Sequence, residues 1–168
     1  GTQGYIAVCY IDLDGFKQIN DQYGHDVGDQ LLVEVAQRLQ SSLRGHDTVA
    51  RLGGDEFVLL LSELESVHTC ELTAERVLSL ITRPIHVEGL ELQVSASMGI
   101  TLYPDDGSDA DLLLRHADQA MYQAKMTGRN RYQLYDLDHD QRAVYRREAI
   151  ADIRRALHQE EFVLYFQP

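Results

Sequence analysis

The chain is expected to fold as an α+β sandwich, a mostly antiparallel central sheet covered by helices. Three observations point there. Short apolar runs rich in β-branched and aromatic residues alternate with stretches of helical periodicity. One pair of apolar runs is joined by a Gly-Gly turn, which marks a hairpin and therefore antiparallel pairing. With 168 residues of which 44% are hydrophobic, the chain is long enough to bury one core, with some residues to spare.

Tyr5 to Ile11 holds Ile, Val, Cys and two Tyr and ends at Asp12, so it reads as a buried strand. Gly28 to Leu43 places Leu32, Val35, Ala36, Leu39 and Leu43 at helical spacing, an amphipathic helix. Thr48 to Leu52 and Phe57 to Leu61 are the hairpin strands; Gly53 and Gly54 between them supply the positive φ angles of a tight turn. Cys70 to Ile81 is a second helix, with Leu72, Val77, Leu78 and Ile81 as its apolar face and Pro84 just beyond its end. Ile85 to Val87 and Leu90 to Tyr103 read as strands around a turn at Gly89. Ala110 to Met126 is a third helix, stopping at Gly128, and Arg131 to Tyr135 a short strand. A charged segment, Asp136 to Asp140, precedes a helical pattern from Gln141 to Leu157 and a strand-like Phe162 to Phe166.

Composition narrows the function. Fifteen Lys and Arg stand against 27 Asp and Glu, a formal net charge of −12, which argues against a surface that wraps nucleic acid. It leaves room for a divalent-cation site and for local cations that hold a phosphate. Cys9 and Cys70 form neither a disulfide framework nor a zinc-ligand pattern and read as reduced packing residues. No run reaches the ~18 apolar residues of a membrane span. The chain opens on Gly1 without a Met or a signal-peptide pattern, so it is expected to be a piece of a larger protein.

Four segments could carry chemistry. Asp12-Leu13-Asp14 ends a buried strand, whose period of two sets both carboxylates on one face with the Leu13 carbonyl between them. Oxygen donors of this kind suit Mg²⁺, although an acidic turn would give the same string. Gly53-Gly54-Asp55-Glu56-Phe57 places two carboxylates at a hairpin tip, able to ligate a cation or accept a hydroxyl proton, or simply to face water. Lys125 and Arg129, four apart at a helix end, could clamp a polyphosphate or complement the helix dipole. Arg44-Gly45-His46-Asp47 is a polar loop after the first long helix.

Together the segments resemble the GGDEF family, the diguanylate cyclases, in order and spacing. The matching strings are Ile11-Asp12-Leu13-Asp14-Gly15-Phe16-Lys17, Ile19-Asn20-Asp21, Tyr23-Gly24-His25-Asp26 and Gly28-Asp29. They continue with Arg51-Leu52-Gly53-Gly54-Asp55-Glu56-Phe57, Ser97-Met98-Gly99-Ile100, Ala117-Asp118-Gln119-Ala120-Met121-Tyr122, Lys125 and Gly128-Arg129-Asn130. The resemblance spans roughly residues 5 to 136 and implies a fold like the palm of nucleotide cyclases and polymerases.

It also implies an activity: condensation of two GTP into cyclic di-GMP with release of two pyrophosphates, at the interface of a homodimer. By position, Asp12, the Leu13 carbonyl and Asp55 would hold Mg²⁺ or Mn²⁺, two per active site. Asp55 and Glu56 would share the catalytic acid–base role, and Lys17 would stabilise the transferring phosphoryl. Asn20 and Asp29 would bind guanine, with His25 nearby; the backbone at Phe16 would lie along the phosphates, and Lys125 and Arg129 would bind the terminal ones. Arg44 and Asp47 fall at the family's RxxD site, where the product cyclic di-GMP would bind and inhibit.

Two departures from the pattern stand out: the family's usual opening helix and its DxLTGLxNR-like turn are absent, and at the other end Arg147 to Pro168 exceeds what the cyclase domain needs. Family members also often carry Glu at the Asp55 position. Residues 1–136 are thus expected to be an N-terminally truncated cyclase domain. Residues 137–168 would form a linker helix and, at Leu157 to Pro168, the first strand of a truncated EAL phosphodiesterase domain. The alternative is a catalytically silent GTP-binding module that regulates an attached EAL domain. A cytoplasmic location is expected, with a membrane anchor left open for the parent's missing N-terminal region.

Overall fold

The computed structural model describes residues 4–159. The chain divides into two compact units, residues 1–135 and 136–168. In the first, a five-stranded sheet runs in the order β2-β3-β1-β6-β7. Its strands are β1 (Tyr5–Asp14), β2 (Thr48–Gly53), β3 (Glu56–Leu64), β6 (Ser95–Tyr103) and β7 (Arg131–Leu134). All neighbours are antiparallel except β6 and β7, whose parallel pairing is allowed by the intervening crossover helix α4 (Ala110–Met126). The mixed, mostly antiparallel α+β architecture expected from the sequence is the one observed.

β1 lies at the centre, and its alternation sorts the core onto two faces. Ala7, Cys9, Ile11 and Leu13 point to a large cluster with Leu31, Leu32, Val35 and Leu39 of α2 (His25–Ser41) and Cys70, Ala74, Val77 and Ile81 of α3 (Val67–Ile81). Val8 points the other way, to Leu113 and Ala117 of α4. β6 follows the same division by size. Met98, Ile100 and Leu102 fill the α2/α3 side, and the small residues Ser97, Gly99 and Thr101 admit α4 on the other. At Gly99 the approach is so close that a Cβ would lie 1.9 Å from the Ala117 carbonyl oxygen and 2.2 Å from the Met121 nitrogen. Arg38 fastens α2 to the end of α3: its guanidinium donates to the carbonyls of Leu80, Arg83 and Pro84 at 2.7–2.9 Å.

Three local differences from the sequence reading have physical causes. Residues 16–23 form a short helix, α1 (Phe16–Tyr23), that the periodicity did not reveal; it buries only Phe16 and Ile19. Glycines with positive φ bound it, Gly15 at 80° and Gly24 at 92°, so it and α2 are separate helices. Leu90 to Tyr103 is not one strand, because the chain leaves β5 (Leu90–Leu92) at Gln93 and Val94 before joining the main sheet as β6. β5 pairs with β4 (Ile85–Val87) in a separate hairpin. In the second unit, α5 (Leu137–Gln159) begins four residues before the expected start at Gln141, taking in most of the charged segment. The strand expected at Phe162 to Phe166, and with it the EAL resemblance, lies outside the described residues. Among the described residues no helix is long and apolar enough to cross a membrane.

Candidate active site

The even-numbered residues of β1 face α4, so Tyr10, Asp12 and Asp14 line up on one side of the sheet, as the strand period requires. Asp14, buried, accepts hydrogen bonds from Ser95 Oγ (2.7 Å), Ser97 Oγ (2.8 Å) and the Asn130 backbone N–H (3.1 Å). That carboxylate is largely saturated by the protein and ties β1 to β6 and to the loop after α4. Asp12 is different. Its Oδ2 meets Lys125 Nζ at 3.0 Å, while its Oδ1 is buried without a hydrogen-bond partner.

The hairpin brings the second carboxylate to the first. Gly53 and Gly54 adopt φ of 150° and 51°, the positive values expected of the turn. The Leu13 N–H donates to the Asp55 carbonyl at 3.2 Å, pinning the tip of the hairpin to the end of β1. That bond sets Asp55 beside Asp12, the neighbour of Leu13 on the strand. Burial raises the Asp12 carboxyl above the usual carboxylate range; neighbouring Asp55 adds to the shift and Lys125 opposes it. Glu56 stands directly across from Asp12 in the β1–β3 register, and the Tyr10 hydroxyl donates to its Oε2 at 2.7 Å. Burial, then that bond to Glu56, pushes the Tyr10 phenol upward. Asp118 on α4 joins the same field: burial raises its carboxyl, with Glu56 and Asp12 contributing.

Two facing carboxylates and an unpartnered buried oxygen are the donor set a hard divalent cation accepts. Among the described residues no three or more His, Cys, Asp and Glu side chains converge as a metal cage. A two-carboxylate site nevertheless fits Mg²⁺, which is commonly held by one or two carboxylates and completed by water and substrate phosphates.

The residues expected to hold a nucleotide base lie along α1 and the start of α2. Phe16 is buried at the first position of α1, and Lys17 beside it is exposed. Asn20 rests against α2 at Gly28, where a Cβ would come within 1.8 Å of Asn20 Oδ1. That oxygen is buried and has no hydrogen-bond partner. His25 and Asp29 follow one turn apart on α2, both exposed. Lys125 and Arg129 do not share a helical face, because α4 ends at Met126 and Arg129 lies past it with φ of 62°. Lys125 is turned onto Asp12, with Asp14 Oδ1 at 3.9 Å, and Arg129 is exposed. In the loop after α2, Asp47 accepts from the Arg44 N–H at 3.1 Å and the Ser62 N–H at 3.0 Å, while the Arg44 side chain is exposed.

Three contributors, Tyr10, Asp118 and Gly28, escape a reading of motifs alone, and the structural role of Asp14 does too. Tyr10 and Asp14 looked like a strand residue and a possible ligand, and their partners come from strands far along the chain. Asp118 was visible within a motif but carried no role. Gly28 left a signal, an isolated glycine inside a helical pattern, which often marks a close approach.

Comparison with known proteins bears on this geometry. Residues 1–131 match the family model described as "Diguanylate cyclase, GGDEF domain". Over 163 residues the chain is 45% identical to the bifunctional diguanylate cyclase/cyclic di-GMP phosphodiesterase MucR of Pseudomonas aeruginosa, covering 97% of this chain and 24% of MucR. It is 40% identical over 163 residues to the cyclic di-GMP phosphodiesterase NbdA of the same organism, covering 97% of this chain and 21% of NbdA. The chain thus spans about a quarter or less of the length of these relatives. Among solved structures, the GGDEF domain of TpbB (YfiN) from P. aeruginosa superposes with a TM-score of 0.78 at 41% identity, over 80% of this chain and 84% of that one.

Proposed function

The chain belongs to the GGDEF family of diguanylate cyclase domains, and from that premise we propose that it condenses two GTP into cyclic di-GMP, releasing two pyrophosphates. The observation that carries the reading is the bond from the Leu13 N–H that pins Asp55 to the end of β1 beside Asp12, whose Oδ1 is buried and unpartnered.

Asp12, the Leu13 carbonyl and Asp55 would hold Mg²⁺ or Mn²⁺, two per active site. Bound there, the cations supply electrostatic stabilisation of an in-line displacement at the α-phosphate. The chain's own groups do the rest. Asp55 accepts the proton of the attacking 3′-hydroxyl, with Glu56 beside it held in place by Tyr10. Lys17, exposed at the first turn of α1, meets the charge that builds on the transferring phosphoryl, and the backbone at Phe16 lies along the phosphates. Asn20 and Asp29 take the donors of guanine, and His25 contacts the substrate beside them. An acceptor placed for those donors rejects adenine, which would leave it unpaired. Lys125 and Arg129 bind the terminal phosphates. Each reaction needs two such sites face to face, so a homodimer is the working unit.

Arg44 and Asp47 form the product-inhibition site. The exposed Arg44 side chain can grip cyclic di-GMP, while Asp47 both shapes the loop and lines a groove with Arg44. An EAL domain follows in the parent protein. A second reading, in which the domain binds GTP without turnover and regulates that EAL domain, is favoured by a 40% identical relative that is named as a phosphodiesterase.

Incubation with GTP and Mg²⁺, watching for cyclic di-GMP and pyrophosphate, separates the two. The cyclase reading expects both products, lost in Asp55→Ala. GTP binding without products from a dimeric wild type establishes the silent module instead.

A further inference from the structure

Lys125 pairs with the carboxylate that would hold the cation. Its ammonium is 3.0 Å from Asp12 Oδ2 and 3.9 Å from Asp14 Oδ1, and only 22% of its side chain is exposed, against 16% for Asp12. Asp14 needs no help from it, being held already by two serine hydroxyls and a backbone N–H. The pairing with Asp12 is therefore the one that neutralises charge at the mouth of the site. A divalent cation bound by the buried, unpartnered Oδ1 of Asp12 and the neighbouring Asp55 meets this ammonium across a single carboxylate. In a partly desolvated pocket that repulsion is strong. It is relieved when Lys125 moves to another anion, which under the proposed function is a phosphate of GTP.

We propose that Lys125 is a resident counter-ion of Asp12 that suppresses divalent-cation binding until nucleotide phosphates draw it away, so that metal and GTP enter together. The inference rests on the reading of Asp12 as a metal ligand. Lys125 thus has two successive partners, a carboxylate in the nucleotide-free chain and a phosphate afterwards. Linkage then makes the effect reciprocal: GTP strengthens metal binding by the same factor that metal strengthens GTP binding.

The test is Mn²⁺ binding to the nucleotide-free chain, read from the paramagnetic resonance signal of free Mn²⁺, for wild type, Lys125→Met and Lys125→Gln. Both variants are expected to bind Mn²⁺ at least about tenfold more tightly than wild type, and Asp12→Asn to abolish the gain when combined with either. GTP binding in chelator is expected to weaken in the same two variants. The opposite signs are the signature of a cation with two partners, because a lysine that only shapes the pocket would lower both affinities. Mn²⁺ affinity equal to or below that of wild type in the folded variants overturns the proposal, as does unchanged GTP affinity. A wild type that makes no cyclic di-GMP defeats the cyclase reading and leaves this measurement intact, since neither arm requires turnover.

Discussion

Removing the Asp14 carboxylate tests whether it is a structural knot or a metal ligand. In Asp14→Ala three donors lose their acceptor: Ser97, fully buried, the partly buried Ser95, and the Asn130 N–H. A hydrogen bond to a charged group contributes about 1.5–3 kcal/mol, and a buried donor left without an acceptor costs about 1–3 kcal/mol. Ser95 can turn to water, so two donors carry most of the penalty and the expected loss is about 3–5 kcal/mol. That is a large share of the ~5–15 kcal/mol that holds a typical domain together. Asp14→Asn keeps one acceptor oxygen and lets a serine hydroxyl reverse its role, for a loss of about 1–2 kcal/mol. Urea unfolding followed by circular dichroism measures both. Mn²⁺ binding supplies the second half: Asp14→Asn is expected to retain it, whereas Asp12→Asn loses it. An Asp14→Ala chain within 1 kcal/mol of wild type, or an Asp14→Asn chain that folds but no longer binds Mn²⁺, refutes the structural assignment.

Gly99→Ala drives a methyl into the Ala117 carbonyl and is expected to cost about 3 kcal/mol or more, seen as a lowered thermal midpoint. Gly28→Ala displaces the Asn20 side chain; KM for GTP should rise about tenfold while kcat changes less, as steady-state kinetics will show. Tyr10→Phe removes one hydrogen bond to Glu56 and should lower kcat about tenfold, with KM and thermal midpoint nearly constant; an unchanged kcat would contradict the positioning role. Asp12 titrates above its ordinary range in the folded chain, chiefly through burial. Over that interval the folded state holds more protons than the unfolded one, so the contribution of Asp12 to stability falls as pH rises from the ordinary aspartate range. Melting curves in chelator should show this fall, and Asp12→Asn should flatten it.

The elements legible in the sequence are those whose pattern is local. The 17 residues of α4 keep an apolar stripe, and the Gly-Gly turn fixes its hairpin by backbone need alone. The missed elements are those decided by distant neighbours. α1 is eight residues with two buried side chains, too short for periodicity to speak. The break before β6 follows from the chain leaving one sheet for another. In the site, Asp12 and Asp14 were readable as a pair on one face, but not their division of labour. That depends on Ser95, Ser97, Asn130 and Lys125, none of which is within 80 positions of Asp14. The helical spacing of Lys125 and Arg129 misled, because α4 ends between them.

The central place of β1 has a kinetic consequence. The strand has no neighbour in its own vicinity of the chain: it pairs with residues 56–64 on one side and 95–103 on the other. Loop closures of this span are slow relative to local helix formation. The last partner of Asp14 is Asn130, 116 positions downstream. During synthesis Asp12 and Asp55 can meet once β3 has paired with β1, but Lys125 and Asn130 join them only after almost the whole unit has emerged. The pocket is complete only when the far end of the unit closes over its beginning.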